Sequence, residues 1–223
     1  MSETRRYEVA MSVEALASAW ARTENARDGA VVVANSEISG RLRGGTPWQA
    51  GGDDALIMAM VVRPTLDPLQ EALLWLVASL GAADALADVT GDDHPIIWPD
   101  SVGPAAVNVT VQLGPGRIEH AVLAVRTHLD GLDITKDQLL SSLTEHLLAA
   151  TRMIESDALG LLETFNDRCS VMNERARISL LPRGEARGRV TAVDTDGFLV
   201  LESTTGMLER IAPASLRSLE LVD

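Results

Sequence analysis

One lysine stands in 223 residues: Lys136 is alone, and the other 18 basic residues are arginines. Any reaction that requires a lysine therefore has a single candidate, and the predicted position of Lys136, in the first turn of a helix, reads as a solvated surface site. Cysteine is equally scarce. Cys169 cannot close an internal disulfide, and no Cys or His pairs fall at zinc-ligand spacing, so no metal site is expected and Cys169 reads as a packing residue. Positive charge is short overall. A formal charge of -13 leaves no basic stripe to replace counterions around phosphates, which excludes a general nucleic-acid role. No apolar signal core follows the charged SETRR start, so the protein is expected in the cytoplasm. The longest apolar stretch, residues 69–87, is interrupted by Glu71 and Asp84 and is rich in small residues; a buried helix is expected there and no membrane anchor. Also missing are a GxSxG elbow, HExxH, GxxxxGK[ST] and a dinucleotide fingerprint between strand and helix.

What is present is 46% hydrophobic and long enough for a substantial core. A short strand at residues 7–12 leads into a helix predicted over 13–27 and ended by Gly29. AVVVA at 30–34 and ALIMAMVV at 55–62 read as buried strands, separated by a long glycine-rich loop. Asp67 is placed to cap a helix beginning at Pro68, with Leu69, Leu73, Leu76, Val77 and Leu80 as its apolar stripe. AAVNVTVQL alternates apolar and polar residues, GPGR turns the chain, and IEHAVLAVR returns as a hairpin. Thr135 and Gln138 form a capping box for a helix lined by Leu140, Leu143, Leu147 and Ile154; a second helix, predicted over 157–172, carries Leu159, Leu162 and Phe165. From Arg187 the period becomes two, with three short strands on tight turns. His94 belongs to an acidic solvated loop, His120 and His128 to a polar strand face, and His146 to a helix surface; none is assigned a catalytic role.

Two short stretches fit none of this. Residues 40–48 read GRLRGGTPW, and residues 97–101 read IWPDS at the end of an apolar run. In their order along the chain, with the hairpin, the helices and the terminal strands, they resemble the biotin protein ligases of the biotin and lipoate ligase superfamily. In that family the first stretch reads GRGRRGRxW; Gly40, Arg41, Arg43, Gly45 and Trp48 match, while Leu42, Gly44 and Thr46 depart from it. The second reads KWPND; Trp98 and Pro99 match, and Ile97, Asp100 and Ser101 replace the lysine, asparagine and aspartate. The family's Ser-Thr-Asn aligns with Ser12-Val13-Glu14, and its glutamine before the loop with Glu37.

The resemblance implies an α+β fold, a mixed sheet flanked by helices over residues 1–177, and a small SH3-like β-barrel over 178–223. It also implies a ligand site at Ser12, Glu37, Gly40, Arg41, Arg43, Gly45, Trp48, Trp98, Pro99 and Asp100. Such ligases join biotin to ATP as an acyl adenylate and pass the acyl group to a lysine of a carrier protein. That chemistry needs positive charge against two anions and against charge developing in the transition state. Here two loop arginines and the motif lysine are gone, Ile97 stands at the lysine position, and Glu37 adds an anion. No catalytic residue is assigned. Biotin and ATP are expected as ligands only if activity is retained. The expectation is a protein without ligase activity that binds a small carboxylic acid or a protein partner, with a divergent ligase or a structural role as alternatives and a homodimer through the sheet edges. Without the resemblance, the glycines would simply permit a tight crossing and the two tryptophans would be core residues.

Overall fold

The computed structural model describes residues 3–48 and 52–222. Seven strands form the main sheet in the order β1-β2-β3-β7-β6-β5-β4: β1 (Thr4–Ala10), β2 (Val31–Glu37), β3 (Ala55–Val62), β4 (Ile96–Ile97), β5 (Ser101–Val102), β6 (Ala105–Gly114) and β7 (Arg117–His128). β1 and β2 are parallel, and every later neighbour is antiparallel. The fold is α+β with a mixed sheet, as the sequence implied.

The two faces of the sheet differ in how they are covered. β3 is buried along its whole length because helices lie on both sides of it, which explains its unbroken apolar run. On one face sits α1 (Val13–Thr23), packed through Val13, Ala17, Trp20 and Ala21 onto Val32, Ala34, Ile57, Ala59, Val122 and Ala124. On the other lie α2 (Leu73–Thr90), α3 (Lys136–Ser156) and α4 (Ala158–Arg168), which build the larger core. α2 is apolar and long enough for a membrane span by composition, with a mean hydropathy of 1.5, and 67% of it is buried inside this core. α3 passes so close to α2 that a Cβ on Gly81 would lie 2.9 Å from the Leu147 backbone. Gly81 is there because nothing larger fits.

Several predicted boundaries shift for local reasons. α1 stops at Thr23 and not at residue 27, because Asn25 takes a positive φ of 52° and turns the chain out of the helix. The cap at Asp67 opens a short 3₁₀ turn (Pro68–Gln70), and α2 starts afterwards at Leu73, so Leu69 is 86% exposed and does not join the apolar stripe. Leu159 likewise faces solvent, and α4 ends at Arg168. The capping box of Thr135 and Gln138 is present as predicted, with both reciprocal hydrogen bonds formed.

The C-terminal region is a five-stranded antiparallel sheet in the order β11-β10-β9-β8-β12, where three strands were expected. Its members are β8 (Arg175–Leu180), β9 (Glu185–Val193), β10 (Leu199–Glu202), β11 (Leu208–Ile211) and β12 (Leu216–Leu221). The boundary placed between 177 and 178 falls inside β8, whose pairing with β9 and β12 puts residues 175–177 in the small sheet. This sheet shares the larger core, through Ile178, Val190, Leu199 and Leu216, and comes closest to α2 at Gly197. A Cβ on Gly197 would sit 3.0 Å from the Ala72 backbone, and the Trp98 indole donates to the Gly197 carbonyl at 3.3 Å.

Candidate functional site

The residues singled out in the sequence gather at one end of the main sheet, in two clusters bridged by the Gly-Arg loop. The first cluster is at the start of α1. Ser12 is its N-cap, with the hydroxyl accepting from Ala15 N at 3.3 Å, so this side chain is already occupied. Glu37, the last residue of β2, turns toward the α1 face. Its carboxylate accepts from Val13 N at 2.7 Å, where the helix N-terminus favours negative charge.

Opposite Glu37 stands Arg126 of β7, a residue that the sequence reading placed only as the tail of a strand. Arg126 donates from Nε to Glu37 Oε2 at 2.8 Å and from Nη2 to Glu37 Oε1 at 3.1 Å, a two-pronged pair. Its remaining Nη1 donates to Glu14 Oε1 at 3.1 Å, and Asn108 Nδ2 reaches the same oxygen at 2.8 Å. The side chains of Arg126 and Glu37 are both 0% exposed. Burial works to lower the Arg126 pKa, and the bonds and charges of Glu37 and Glu14 outweigh it, so the guanidinium is held charged. The anion that Glu37 adds is thus paired within the fold, by Arg126. Gly40 closes this cluster from above: a Cβ there would lie 2.5 Å from Glu37 Oε2.

The second cluster is the Trp-Pro-Asp corner. Trp98 is 1% exposed, and the Pro99 carbonyl accepts from Ser79 Oγ of α2 at 2.6 Å. Arg43 descends from the loop to donate from Nε to Asp100 Oδ2 at 2.9 Å, and its Nη1 donates to the Leu216 carbonyl at the start of β12. Burial pushes the Asp100 carboxyl up, and the charge and hydrogen bond of Arg43 pull it back only in part. Ile97, at the position of the family's lysine, is 44% exposed.

Between the clusters, residues 40–48 form a small hairpin. Arg41 pairs with Pro47, Leu42 N donates to Thr46 O at 2.8 Å, and Trp48 N donates to Gly40 O at 2.9 Å. Gly44 and Gly45 supply the turn, with φ of 68° and 80°, where a side chain would be strained. Arg41 is exposed, and its Nη1 donates within the loop to Gly45 O at 2.9 Å. Trp48 lies against His128 with ring centres 4.3 Å apart and the planes tilted by 38°, and its buried indole N–H has no hydrogen-bond partner among the described residues.

Lys136 lies in the first turn of a helix, as expected. It is partly buried at the start of α3 and donates to the Gly52 carbonyl, just beyond the loop. His120, read as lying on a polar face, is 4% exposed within β7. Among the described residues, no group of three or more His, Cys, Asp or Glu side chains is placed to hold a metal ion.

No family model and no curated protein sequence matches this chain. Solved structures do match it. A biotin protein ligase from Aquifex aeolicus, in complex with biotin and ATP, superposes with a TM-score of 0.79 at 16% identity over 100% of each chain. A biotin protein ligase-like protein of unknown function from a Silicibacter species does so with a TM-score of 0.72 at 17% identity, over 96% of this chain and 95% of that one. The biotin acetyl coenzyme A carboxylase synthetase from Helicobacter pylori, with bound biotinylated ATP, gives 0.65 at 14% identity over 94% of this chain and 100% of its own. The chain has the fold of the biotin protein ligases, with the small C-terminal β unit included.

Proposed function

We propose that this protein keeps the ligase fold without ATP-dependent acyl adenylation and acts by binding a protein partner. The observation that carries the reading is the Glu37–Arg126 pair. Adenylation sets a carboxylate against a triphosphate and needs cationic groups free to meet both. Arg126 is answered by Glu37 and Glu14, which leaves that trio with a net charge of -1, and Arg43 is answered by Asp100. Arg41 is the remaining loop arginine, and an isoleucine stands where the lysine would act. The carboxylate of Glu37 also takes the α1 N-terminus that an acid ligand would otherwise use. ATP-pyrophosphate exchange measured over biotin, lipoate and a panel of short and medium carboxylic acids should stay at background; acid-dependent exchange with any of them would overturn the reading. Titration calorimetry with biotinyl-adenylate should show no heat.

The partner fitted best by the surface is a second copy of the chain. β1 is an end strand of the main sheet, and beside its last residues Val9, Met11 and Ile38 are 57%, 59% and 68% exposed. The main-chain bonds Ile38 N to Ala10 O and Ser39 N to Met11 O extend the ladder past the strand ends, so these apolar side chains stand together on a strand edge of the kind that pairs with another chain. Light scattering should give a dimer mass, and Val9→Glu with Met11→Glu should return it to a monomer.

A further inference from the structure

At the opposite end of α1 from Glu37 lies a cleft of about 430 Å³ that plays no part in the reading above. Its walls hold Arg22 and Asn25 from the end of α1, Arg63 just after β3, and Arg117, Glu119 and His120 from the start of β7. Three arginines against one carboxylate is a net positive charge, within a chain whose formal charge is -13.

One wall is rigid. Arg63 donates from Nε to Ala26 O at 3.1 Å, from Nη1 to Glu119 O at 3.1 Å, and from Nη2 to Ala21 O at 3.2 Å and Asn25 Oδ1 at 3.1 Å. Of the five N–H groups of a guanidinium, four are thereby used to tie α1 to the sheet, and one on Nη1 is left. Arg22 and Arg117 differ. Both are exposed, and among the described residues neither enters an ion pair, so their charge is uncompensated at the mouth.

The floor is His120. It is 4% exposed, borders the cleft, and makes no hydrogen bond with another described residue. Burial lowers its pKa, the charge of Arg63 lowers it further, and Glu119 opposes them with an effect larger than the lowering by Arg22, so the surroundings favour the neutral ring. A neutral imidazole carries one N–H donor and one bare nitrogen acceptor. The one carboxylate, Glu119, passes over Gly114, where a Cβ would lie 2.5 Å from Glu119 Cγ, and it remains part of the cleft wall. A second cleft of about 510 Å³ adjoins, sharing Arg63, Arg117 and Glu119, and gives room for more than a single anion.

We propose that this cleft binds a phosphate group, either free phosphate or the phosphate of a small phosphomonoester. Phosphate supplies acceptor oxygens for Arg22, Arg117 and the spare N–H of Arg63, and its P–OH, when protonated, is a donor to the bare nitrogen of His120. A carboxylate of the same size lacks that donor when ionised.

The test is a titration of the intact protein with inorganic phosphate and, separately, glycerol 3-phosphate, at low ionic strength, followed by the ring resonances of His120 and by calorimetry. Saturable shifts of His120 with either compound support the site, and the tighter of the two identifies the source of the phosphate. Arg22→Ala and Arg117→Ala should each weaken binding about tenfold, and Arg41→Ala, a loop arginine at the other end of the sheet, should leave it unchanged. Both positions are on the surface, so the variants keep the fold. No saturable shift up to ~20 mM of either compound, a concentration at which even a millimolar site would be filled, overturns the proposal, as does binding that survives both arginine changes undiminished.

Discussion

Glu37→Gln is the sharpest probe of the buried pair, because it alters one oxygen and one charge and nothing of the shape. The glutamine oxygen can still accept from Val13 N, now at 2.7 Å from Glu37 Oε1, but its amide group then points donors at Arg126 Nε, where a 2.8 Å bond exists today. Arg126, 0% exposed, would keep only Glu14 as a charged partner. Breaking a buried ion pair by removing one member costs about 3–5 kcal/mol, since the survivor stays desolvated and unanswered. At roughly 2–4 °C per kcal/mol for a chain of this length, the lower bound corresponds to a fall in Tm of ~6–12 °C. Urea unfolding followed by circular dichroism should show the loss as a lower midpoint with an unchanged slope. Combining Glu37→Gln with Arg126→Met removes both charges and should recover a good part of the loss, giving a coupling of at least ~1.5 kcal/mol. A single variant within ~1 kcal/mol of the native chain, or a double variant no better than the single, would refute the view that this pair is a desolvated ionic contact.

Other consequences can be measured with the same protein. Trp98→Ala removes the indole packed at the junction of sheet, α2 and the small β unit; a loss of about 3–5 kcal/mol is expected, with faster hydrogen exchange in the 194–199 turn than in β3. Burial raises the pKa of the Cys169 thiol, so thiol reagents should leave it unmodified in the native protein and react with one equivalent in denaturant; full modification in native buffer would contradict the packing. Asp100 has a folded-state pKa above its unfolded one, so its protonated form favours the fold: stability relative to Asp100→Asn should be greatest in acid and fall as pH rises from the ordinary Asp range through the raised folded value. A difference that grows with pH in that window would reverse the sign.

Local signals in the sequence were reliable where the cause is local. Two caps, at Asp67 and Thr135, were readable from side-chain spacing, and β3 and the β6–β7 hairpin from their apolar pattern. β8 was not recognised, although RARISL alternates, because its partners β9 and β12 are set by the fold and a six-residue strand beside a linker carries little pattern of its own. The Gly-Arg loop and the Trp-Pro corner were legible as motifs, yet what closes them was not. Arg126 lies 89 residues from Glu37, and nothing in the spacing of AVLAVRTHL tells that its arginine points inward to a carboxylate on another strand. The one hint is a charged residue in an otherwise buried run, opposite in sign to an acidic substitution at a motif position.

The contact between Arg43 and the Leu216 carbonyl joins groups 173 residues apart, and it has a consequence for how the chain is made. During synthesis the loop emerges 173 residues ahead of its last acceptor, on the order of 10 to 30 s earlier at ordinary elongation rates. Over that interval Arg43 can have Asp100 but not Leu216, and Trp98 stands in place before the Gly197 turn that covers it exists. The closed end of the sheet is therefore completed only when the strands around Gly197 and Leu216 arrive, so a partly made chain holds the loop and the Trp-Pro corner without the groups that close them.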